Sequence, residues 1–292
     1  MIPASLKQAV EKTLSQKFNQ QVTVLSQQPI GGGCINQAHK NDTSAGNFFL
    51  KWNDANAYPG MFEAEAKGLN LLRSAHATYI PEVISTGEAE AKSFIILEFI
   101  EAGKRIKNFW QDFGEKLANL HKHSSNSFGL DHDNYIGSLP QSNKTHSSWT
   151  EFFIHERLEK QISLAKDTGA ITDSVIKQFN NLFERLPEII PSENPSLLHG
   201  DLWNGNYMTA PDGAACLIDP AVYYGHREMD LSMTKLFGGF SNEFYESYHS
   251  TFPLQPGFEK RIPIHNLYPL MVHVNLFGGG YMQQVRDILS KF

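Results

Sequence analysis

The most restrictive feature of this 292-residue chain is a polar loop set between short apolar runs. The loop reads His199-Gly-Asp-Leu-Trp-Asn-Gly-Asn206 and follows Leu197-Leu198. Asp201 stands five residues before Asn206, and Asp219 ends a second apolar run thirteen residues further on. Carboxylate and amide oxygens are suitable ligands for Mg²⁺, and a carboxylate can also orient a hydroxyl group. The spacing therefore predicts phosphoryl transfer from a magnesium nucleotide.

A polar turn, in which Asp and Asn side chains bond their own backbone, is the alternative explanation for this loop. The Asp-to-Asn spacing equals that of the H-R-D-x-x-x-x-N loop of kinases, with Gly200 in place of the arginine. Asp219-Pro-Ala stands where kinases carry Asp-Phe-Gly. The flanking apolar runs indicate buried strands, and this favours the catalytic explanation.

A glycine run, Gly31-Gly32-Gly33, lies between two predicted strands and would allow backbone amides to approach phosphate oxygens. It matches neither the Walker pattern nor G-x-G-x-x-G, so a glycine-rich hairpin turn is the alternative. Cys34 follows directly, where backbone amides can lower a thiol pKa. Redox control at Cys34 is therefore a hypothesis, with an inert thiol as its alternative.

Lys51 follows the apolar run Phe48-Phe-Leu, as the phosphate-binding lysine of kinases follows its strand. A solvated surface lysine is the alternative. Glu63 and Glu65 both lie at the start of the next predicted helix. We prefer Glu65 as the partner of Lys51, because Leu69 one turn later would seat that face of the helix. A first-turn glutamate favoured by the helix dipole remains the alternative.

The order of the patterns predicts an α+β fold rather than alternating strands and helices. Strand patterns dominate the first hundred residues, and helical patterns dominate thereafter, apart from a strand-like part between Leu197 and Ala221. We expect two lobes. Residues 1–100 would form a small antiparallel-sheet lobe that covers the nucleotide. Residues 101–292 would form a larger, mainly helical lobe with the catalytic loop, the magnesium site and the substrate site.

Composition limits the partners and the location. The formal charge is −6 with no long run of Lys and Arg, which argues against nucleic-acid and anionic-membrane surfaces. No apolar run reaches transmembrane length, and the first residues lack the features of a signal peptide. Two cysteines do not make a disulfide framework, so a reducing cytoplasm is expected.

The chain resembles the fructosamine kinase, or ketosamine-3-kinase, family. The strongest likeness lies in His199–Asn206 and in the run Ile218-Asp-Pro-Ala-Val-Tyr-Tyr-Gly-His-Arg-Glu-Met-Asp-Leu231. Phe49-Leu-Lys51, Met61-Phe-Glu-Ala-Glu65 and Leu276-Phe-Gly-Gly279 also match, so the likeness spans nearly the whole chain. That family is related to aminoglycoside and choline phosphotransferases. The resemblance therefore implies a two-lobed protein-kinase-like fold.

The resemblance further implies ATP and Mg²⁺ as cofactors and a ketosamine as acceptor, either a small molecule or a glycated protein lysine. Phosphorylation of its sugar hydroxyl, O3 in the named activity, would then lead to release of the amine. The implied site residues are Asp201 as proton acceptor, Asn206 and Asp219 as magnesium ligands, Lys51 and Glu65 at the phosphates, Gly31 to Gly33 above them, Glu98, Phe99 and Ile100 as the adenine hinge, and Asp230 as a brace for the catalytic loop.

Four residues are candidates for contact with the substrate, namely Trp203, His226, Arg227 and Glu228. For each of them, packing or helix capping is an equally open explanation. Two other functions stay in play. One is a kinase of the same fold for another hydroxyl acceptor, such as an aminoglycoside or choline-like compound. The other is a nucleotide-binding module without catalysis, which the presence of the full set of kinase groups disfavours. Monomer and homodimer are both compatible with the sequence.

Overall fold

The computed structural model describes residues 2–31 and 35–292, which form two compact units. The first unit comprises residues 1–107 and 208–219, and the second comprises residues 108–207 and 220–292. The sequence placed the boundary between residues 100 and 101. In the structure the first unit runs seven residues further and also contains a segment from the second half of the chain.

The first unit is built on a five-stranded antiparallel sheet with the order β1-β2-β3-β5-β4. Its strands are β1 (Val24–Ile30), β2 (Gln37–Thr43), β3 (Gly46–Asp54), β4 (Val83–Ala89) and β5 (Lys92–Glu98). Helix α1 (Ala4–Phe18) shares an apolar core with Phe48 and Leu50 of β3. Because side chains alternate along a strand, Lys51 points to the opposite face of the sheet. Helix α2 (Met61–Ser74) follows β3 and contacts β4 and β5.

The segment 208–219 belongs to the first unit because backbone bonds tie it there. Strands β9 (Tyr207–Thr209) and β10 (Ala215–Leu217) form a hairpin. Leu217 donates its N–H to the carbonyl of Tyr79 at 3.0 Å, and Gly103 donates its N–H to the carbonyl of Thr209 at 3.2 Å. Buried Cys216 packs with Ile100 in a small apolar cluster. Asp219 therefore groups with the sheet that carries Lys51, which the sequence pattern could not show.

The second unit is mainly helical. Its helices are α3 (Phe109–His121), α4 (Trp149–Phe152), α5 (Glu159–Asp167), α6 (Asp173–Ile189), α7 (Glu228–Leu236), α8 (Asn242–Thr251), α9 (Phe258–His265), α10 (Leu267–Phe277) and α11 (Tyr281–Leu289). Strands β6 (Asn134–Ile136) and β7 (Leu139–Gln141) pair with each other, as do β8 (Ser196–Leu198) and β11 (Tyr223–Gly225). Within the described ranges, no helix is both long enough and apolar enough to cross a membrane.

Two helical regions of the second unit are irregular. The sequence from Trp149 to Lys166 favours one helix, but in the structure a π-helical segment, Phe153–Leu158, lies between α4 and α5. That segment carries the fully buried Arg157, whose guanidinium lies 4.0 Å from the centre of the Tyr223 ring. The sequence from residue 264 to 277 also favours one helix, but α9 ends and α10 begins on either side of Asn266, whose side-chain amide donates to the carbonyl of Ser232 at 3.0 Å.

A network of buried charges surrounds the first turn of α7. Glu228 is fully buried and accepts from the guanidinium of Arg261 at 2.6 and 2.9 Å. Burial opposes ionisation of Glu228, but its hydrogen bonds with Arg261 and His265 outweigh this and lower its pKa to about 2. His226 stacks on His265 with 5.4 Å between ring centres, and burial lowers the pKa of His226 to about 4. These groups hold α7 and α9 together.

Helices α3 and α8 approach closely at Gly114, and this contact generates a stability prediction. A Cβ atom at Gly114 would lie 2.2 Å from the backbone oxygen of Phe244. We expect Gly114→Ala to lower the free energy of unfolding by about 1–3 kcal/mol, because the helices must separate despite the better helix propensity of alanine. Urea denaturation measures this change. The exposed neighbour provides the control, since Glu115→Ala should stay within about 0.5 kcal/mol of wild type. Equal effects of the two substitutions would contradict the close-approach explanation.

His226 generates a prediction about pH. Its pKa is about 4 in the folded protein and ordinarily 6.5, so the unfolded chain binds more protons between these values. The stability that neutral His226 contributes is complete above pH 6.5 and is lost as the pH falls toward 4, on the order of 3 kcal/mol. Unfolding free energies measured from pH 7 to 4 should decline less in His226→Phe than in wild type. The exposed His123→Phe is the control and should follow the wild-type curve. Parallel curves for His226→Phe and wild type would disprove the assignment.

Candidate active site

Buried Lys51 is the centre of an ion-pair triad in the first unit. Its Nζ atom lies 2.7 Å from Oε1 of Glu65 and 3.0 Å from Oδ1 of Asp219, and its side chain is 8% exposed. Burial alone would lower the pKa of the ammonium group, but the carboxylates of Asp219 and Glu65 outweigh it and raise that pKa above its usual value. Lys51 is therefore a fixed cation, and the surface-lysine alternative is excluded. The contact expected between Lys51 and Glu65 is present.

Asp219 is anchored by Lys51 yet remains open to solvent. It follows β10 and adopts φ = +53°, in the left-handed region that costs most residues about 1–2 kcal/mol. Its side chain is 50% exposed. Such backbone strain persists only where the surrounding structure enforces it, and it is frequent at functional sites. The geometry presents a carboxylate that a dissolved ligand can reach.

In the second unit, Asp230 holds the backbone of the predicted catalytic loop. Its two oxygens accept the N–H of His199 at 2.8 Å and that of Gly200 at 2.9 Å. Gly200 has φ = +82°, and a Cβ atom there would lie 2.0 Å from the carbonyl oxygen of Ala221. This close approach explains why glycine stands where kinase loops carry arginine. The bracing contact expected of Asp230 is present.

Asn206 closes the same loop onto Asp201. Its Nδ2 atom donates to the backbone oxygen of Asp201 at 2.8 Å and to the carboxylate Oδ2 at 2.9 Å. Both donations come from the amide nitrogen, so Oδ1 is the acceptor atom of the Asn206 side chain. The N–H of Asp201 lies 3.3 Å from Nδ1 of His199. The orientation of the Asp201 carboxylate is therefore set by the loop itself.

A small pocket opens beside Asp201 in the second unit. The residues that line it include Gly200, Asp201, Tyr268, His273 and Met233. The Tyr268 hydroxyl donates to Oε1 of Gln141 on β7 at 2.6 Å, and burial raises the pKa of Tyr268 above its usual value. Tyr268 is thus a neutral wall. The pocket combines one carboxylate with neutral and largely apolar surroundings.

The four substrate candidates divide into two groups. Trp203 is 37% exposed and lies edge-on to Phe237, with 6.0 Å between ring centres. His226, Arg227 and Glu228 are at most 2% exposed and have protein partners. Arg227, for example, donates two hydrogen bonds of 2.7 Å to the carboxylate of Glu193. The structure therefore favours the packing explanation for these three residues.

The ligand atoms of His226, Glu228 and His265 lie within 4.8 Å of one another, which is compatible in distance with a metal site. The chemistry does not fit, because the guanidinium of Arg261 already bonds both oxygens of Glu228. A divalent cation would be placed directly beside a buried cation.

The residues predicted to form the adenine hinge lie at the end of the sheet in the first unit. Glu98 ends β5, where its carboxylate accepts the Tyr79 hydroxyl at 2.6 Å and the backbone N–H of Glu82 at 3.1 Å. Phe99 and Ile100 follow directly, and Ile100 is buried. The Glu98 side chain is thus engaged within the protein.

Of the predicted phosphate-covering loop, Gly31 is exposed at the end of β1. Gly32, Gly33 and Cys34 lie outside the described residues, so the phosphate-binding role and the redox hypothesis both stay predictions.

Sequence reasoning missed most of the pocket lining, including two residues with polar side chains, Tyr268 and His273. Both lie on α10, whose strongly apolar sequence reads as a buried helix. The available signal was His273 itself, a single titratable side chain in that apolar run. The sequence around it offers no metal-ligand partner at suitable spacing.

Comparison with known proteins assigns the family. Residues 6–292 match the family model described as fructosamine kinase. A Synechocystis protein named "Probable ketoamine kinase" is 37% identical over 291 residues, covering 97% of this chain and 96% of the relative. A solved Thermobifida fusca structure, described as "putative fructosamine-3-kinase", is 32% identical with a TM-score of 0.87 and covers 97% of each chain.

A more distant likeness concerns the fold alone. The aminoglycoside phosphotransferase APH(4)-Ia superposes with a TM-score of 0.63 at 16% identity, covering 97% of this chain and 98% of that one. The predicted α+β, two-lobed protein-kinase-like fold is confirmed, with its small antiparallel-sheet lobe and its larger, mainly helical lobe. By its own sequence and by these relatives, the chain belongs to the fructosamine kinase family.

Proposed function

We propose that this protein is an ATP-dependent kinase that phosphorylates a sugar hydroxyl of ketosamines, either free or on glycated protein lysines. The observation that carries the proposal is the buried Lys51, held at 2.7 and 3.0 Å by Glu65 and Asp219. A nucleotide kinase needs a fixed cation for its phosphates, whereas a polar turn or a surface lysine requires no such triad. The names of the relatives, ketoamine kinase and protein-ribulosamine 3-kinase, support the choice of acceptor.

The donor set fits a magnesium nucleotide. Magnesium prefers hard oxygen ligands and binds through one or two protein groups together with phosphates and water. Asp219 offers a half-exposed carboxylate, and Asn206 offers its amide oxygen. Lys51 would neutralise phosphate charge, which a buried and permanently protonated amine does well. When bound, ATP would supply its γ-phosphoryl group and leave as ADP, and the metal would offset the charge on the phosphates.

Asp201 performs the chemistry assigned to this chain. It orients the acceptor hydroxyl and takes its proton as the oxygen bonds to the transferred phosphoryl group. The bond that Asn206 donates to the carboxylate fixes the orientation of Asp201. Asp230 acts indirectly, because its carboxylate accepts the backbone N–H groups of His199 and Gly200 and so positions the loop that carries Asp201. Catalysis therefore depends on a preorganised loop rather than on one residue.

Further residues are assigned to the adenine, the phosphates and the sugar. The backbone of Glu98 to Ile100 would hold adenine, and Gly31 to Gly33 would cover the phosphates. The exposed ring of Trp203 offers a surface on which a sugar can stack. The buried free thiol of Cys216 agrees with the expected cytoplasmic location.

The choice of acceptor can be tested directly. The purified protein, with ATP and Mg²⁺, is offered a fructose-amine adduct, a ribulose-amine adduct, choline and an aminoglycoside. We expect ADP production with at least one adduct and background rates with the other two compounds. Turnover of choline or the aminoglycoside, with none of either adduct, would instead establish the same-fold alternative. Binding of ATP without any turnover would support a non-catalytic module.

The role of Asp201 yields a second test. Asp201→Asn keeps the shape of the side chain but removes the proton acceptor, so kcat should fall by about 10²–10⁴-fold. The Km for ATP should change little, because Asp201 is assigned to the acceptor. Steady-state kinetics with the best adduct measure both parameters. The exposed Asp167→Asn is a matched control in the same unit and should retain wild-type rates. An unchanged kcat in Asp201→Asn would refute the assignment.

A further inference from the structure

A strip of aromatic side chains extends from the pocket beside Asp201. We call Trp203, Phe237, His273 and Phe277 the aromatic strip. Ring centres are 6.0 Å apart for Trp203 and Phe237, 5.0 Å for Phe237 and His273, and 5.4 Å for His273 and Phe277. All four residues belong to the second unit. The strip is therefore continuous from ring to ring.

The aromatic strip is unusually exposed. Trp203, Phe237 and Phe277 are 37%, 40% and 56% exposed. They account for three of the seven large apolar side chains that are exposed among the described residues. Rings that served only to fill the core would be covered. An exposed apolar patch beside a reactive carboxylate is instead typical of a ligand-binding surface.

His273 links the strip to the pocket, because it lines the pocket together with Asp201. Its Nδ1 atom lies 2.7 Å from the carbonyl oxygen of Pro269. A carbonyl can only accept, so Nδ1 carries the hydrogen and Nε2 of the neutral ring is an acceptor. Burial lowers the pKa of His273, which favours this neutral form at pH 7.

The charges around the pocket select a cation. Of the described residues that line it, none is a lysine or arginine, and Asp201 contributes a negative charge. Aromatic ring faces also attract ammonium groups. A ketosamine carries a secondary amine that is protonated at neutral pH, so its amine end has the charge that this surface favours.

We propose that His273, with the rings of Phe237 and Phe277 beside it, forms the subsite for the amine end of the acceptor. Nε2 of His273 accepts a hydrogen bond from the ammonium N–H. The neighbouring ring faces cover the ammonium group and the apolar substituent attached to it. The subsite rests on the proposed ketosamine kinase function and adds a preference for amines with apolar substituents.

Kinetics with two acceptors test the subsite. The fructose adducts of methylamine and of benzylamine share one sugar and differ in the size of the apolar substituent. His273→Phe keeps a ring but loses the acceptor atom, so the Km for both adducts should rise about 10-fold or more. Phe277→Ser should raise the Km several-fold for the benzyl adduct and leave that for the methyl adduct near wild type. Neither variant should alter the Km for ATP.

Leu164→Ser is the matched control, since Leu164 is 37% exposed in the same unit and lies outside the aromatic strip. It should leave both Km values unchanged. The thermal unfolding midpoint shows whether each variant folds. If His273→Phe does not fold, the result with the exposed Phe277 decides alone.

Wild-type Km values for both adducts in the two folded strip variants would overturn the subsite and leave the proposed function standing. An equal rise for both adducts in Phe277→Ser would also contradict the assigned position of the substituent. A wild-type protein that phosphorylates no ketosamine would overturn the proposed function and this inference together.

Discussion

The ion pairs of Lys51 with Glu65 and Asp219 are the interaction on which the rest of the structure depends. A buried ammonium group is tolerated only when carboxylates surround it, and removal of one partner leaves an uncompensated charge. These bonds connect β3, α2 and the end of the β9–β10 hairpin within one unit. The same contacts hold these segments together and position the groups proposed for phosphoryl transfer. Stability and catalysis therefore require the same arrangement of these three side chains.

In the second unit, a chain of hydrogen-bonded buried polar groups holds the loop that carries Asp201. Asp230 receives the loop N–H groups and lies 3.1 Å from Nε2 of His121. Nδ1 of His121 lies in turn 2.8 Å from the hydroxyl of Tyr248. Burial would raise the pKa of Asp230, but its bonds with His121 and its contacts with the loop lower it. The carboxylate therefore stays ionised and rigid, and the close approach of α3 and α8 at Gly114 brings His121 and Tyr248 together.

Local sequence patterns were sufficient to predict a feature wherever one short segment contained all the residues that define it. The strand that bears Lys51 and the contacts expected of Glu65 and Asp230 followed from periodicity, spacing and family resemblance. The residues from 226 to 228 illustrate the opposite case. A run of His, Arg and Glu reads equally well as a substrate wall or as packing, because sequence does not reveal burial. Their hydrogen-bond partners include Arg261 on α9 and Glu193, and no local sequence pattern indicates these contacts.

The sequence by itself determined the family through its resemblance, the fold class through the order of its strand and helix patterns, and the loop that carries Asp201 through residue types at short spacings. Only the tertiary structure decided that Asp219 belongs with the sheet of Lys51 and that Gly200 is required by a neighbouring carbonyl. It also placed His273 in the pocket with Asp201, 72 residues away along the chain. These are contacts between distant segments, and they exist only after burial has chosen which side chains face each other.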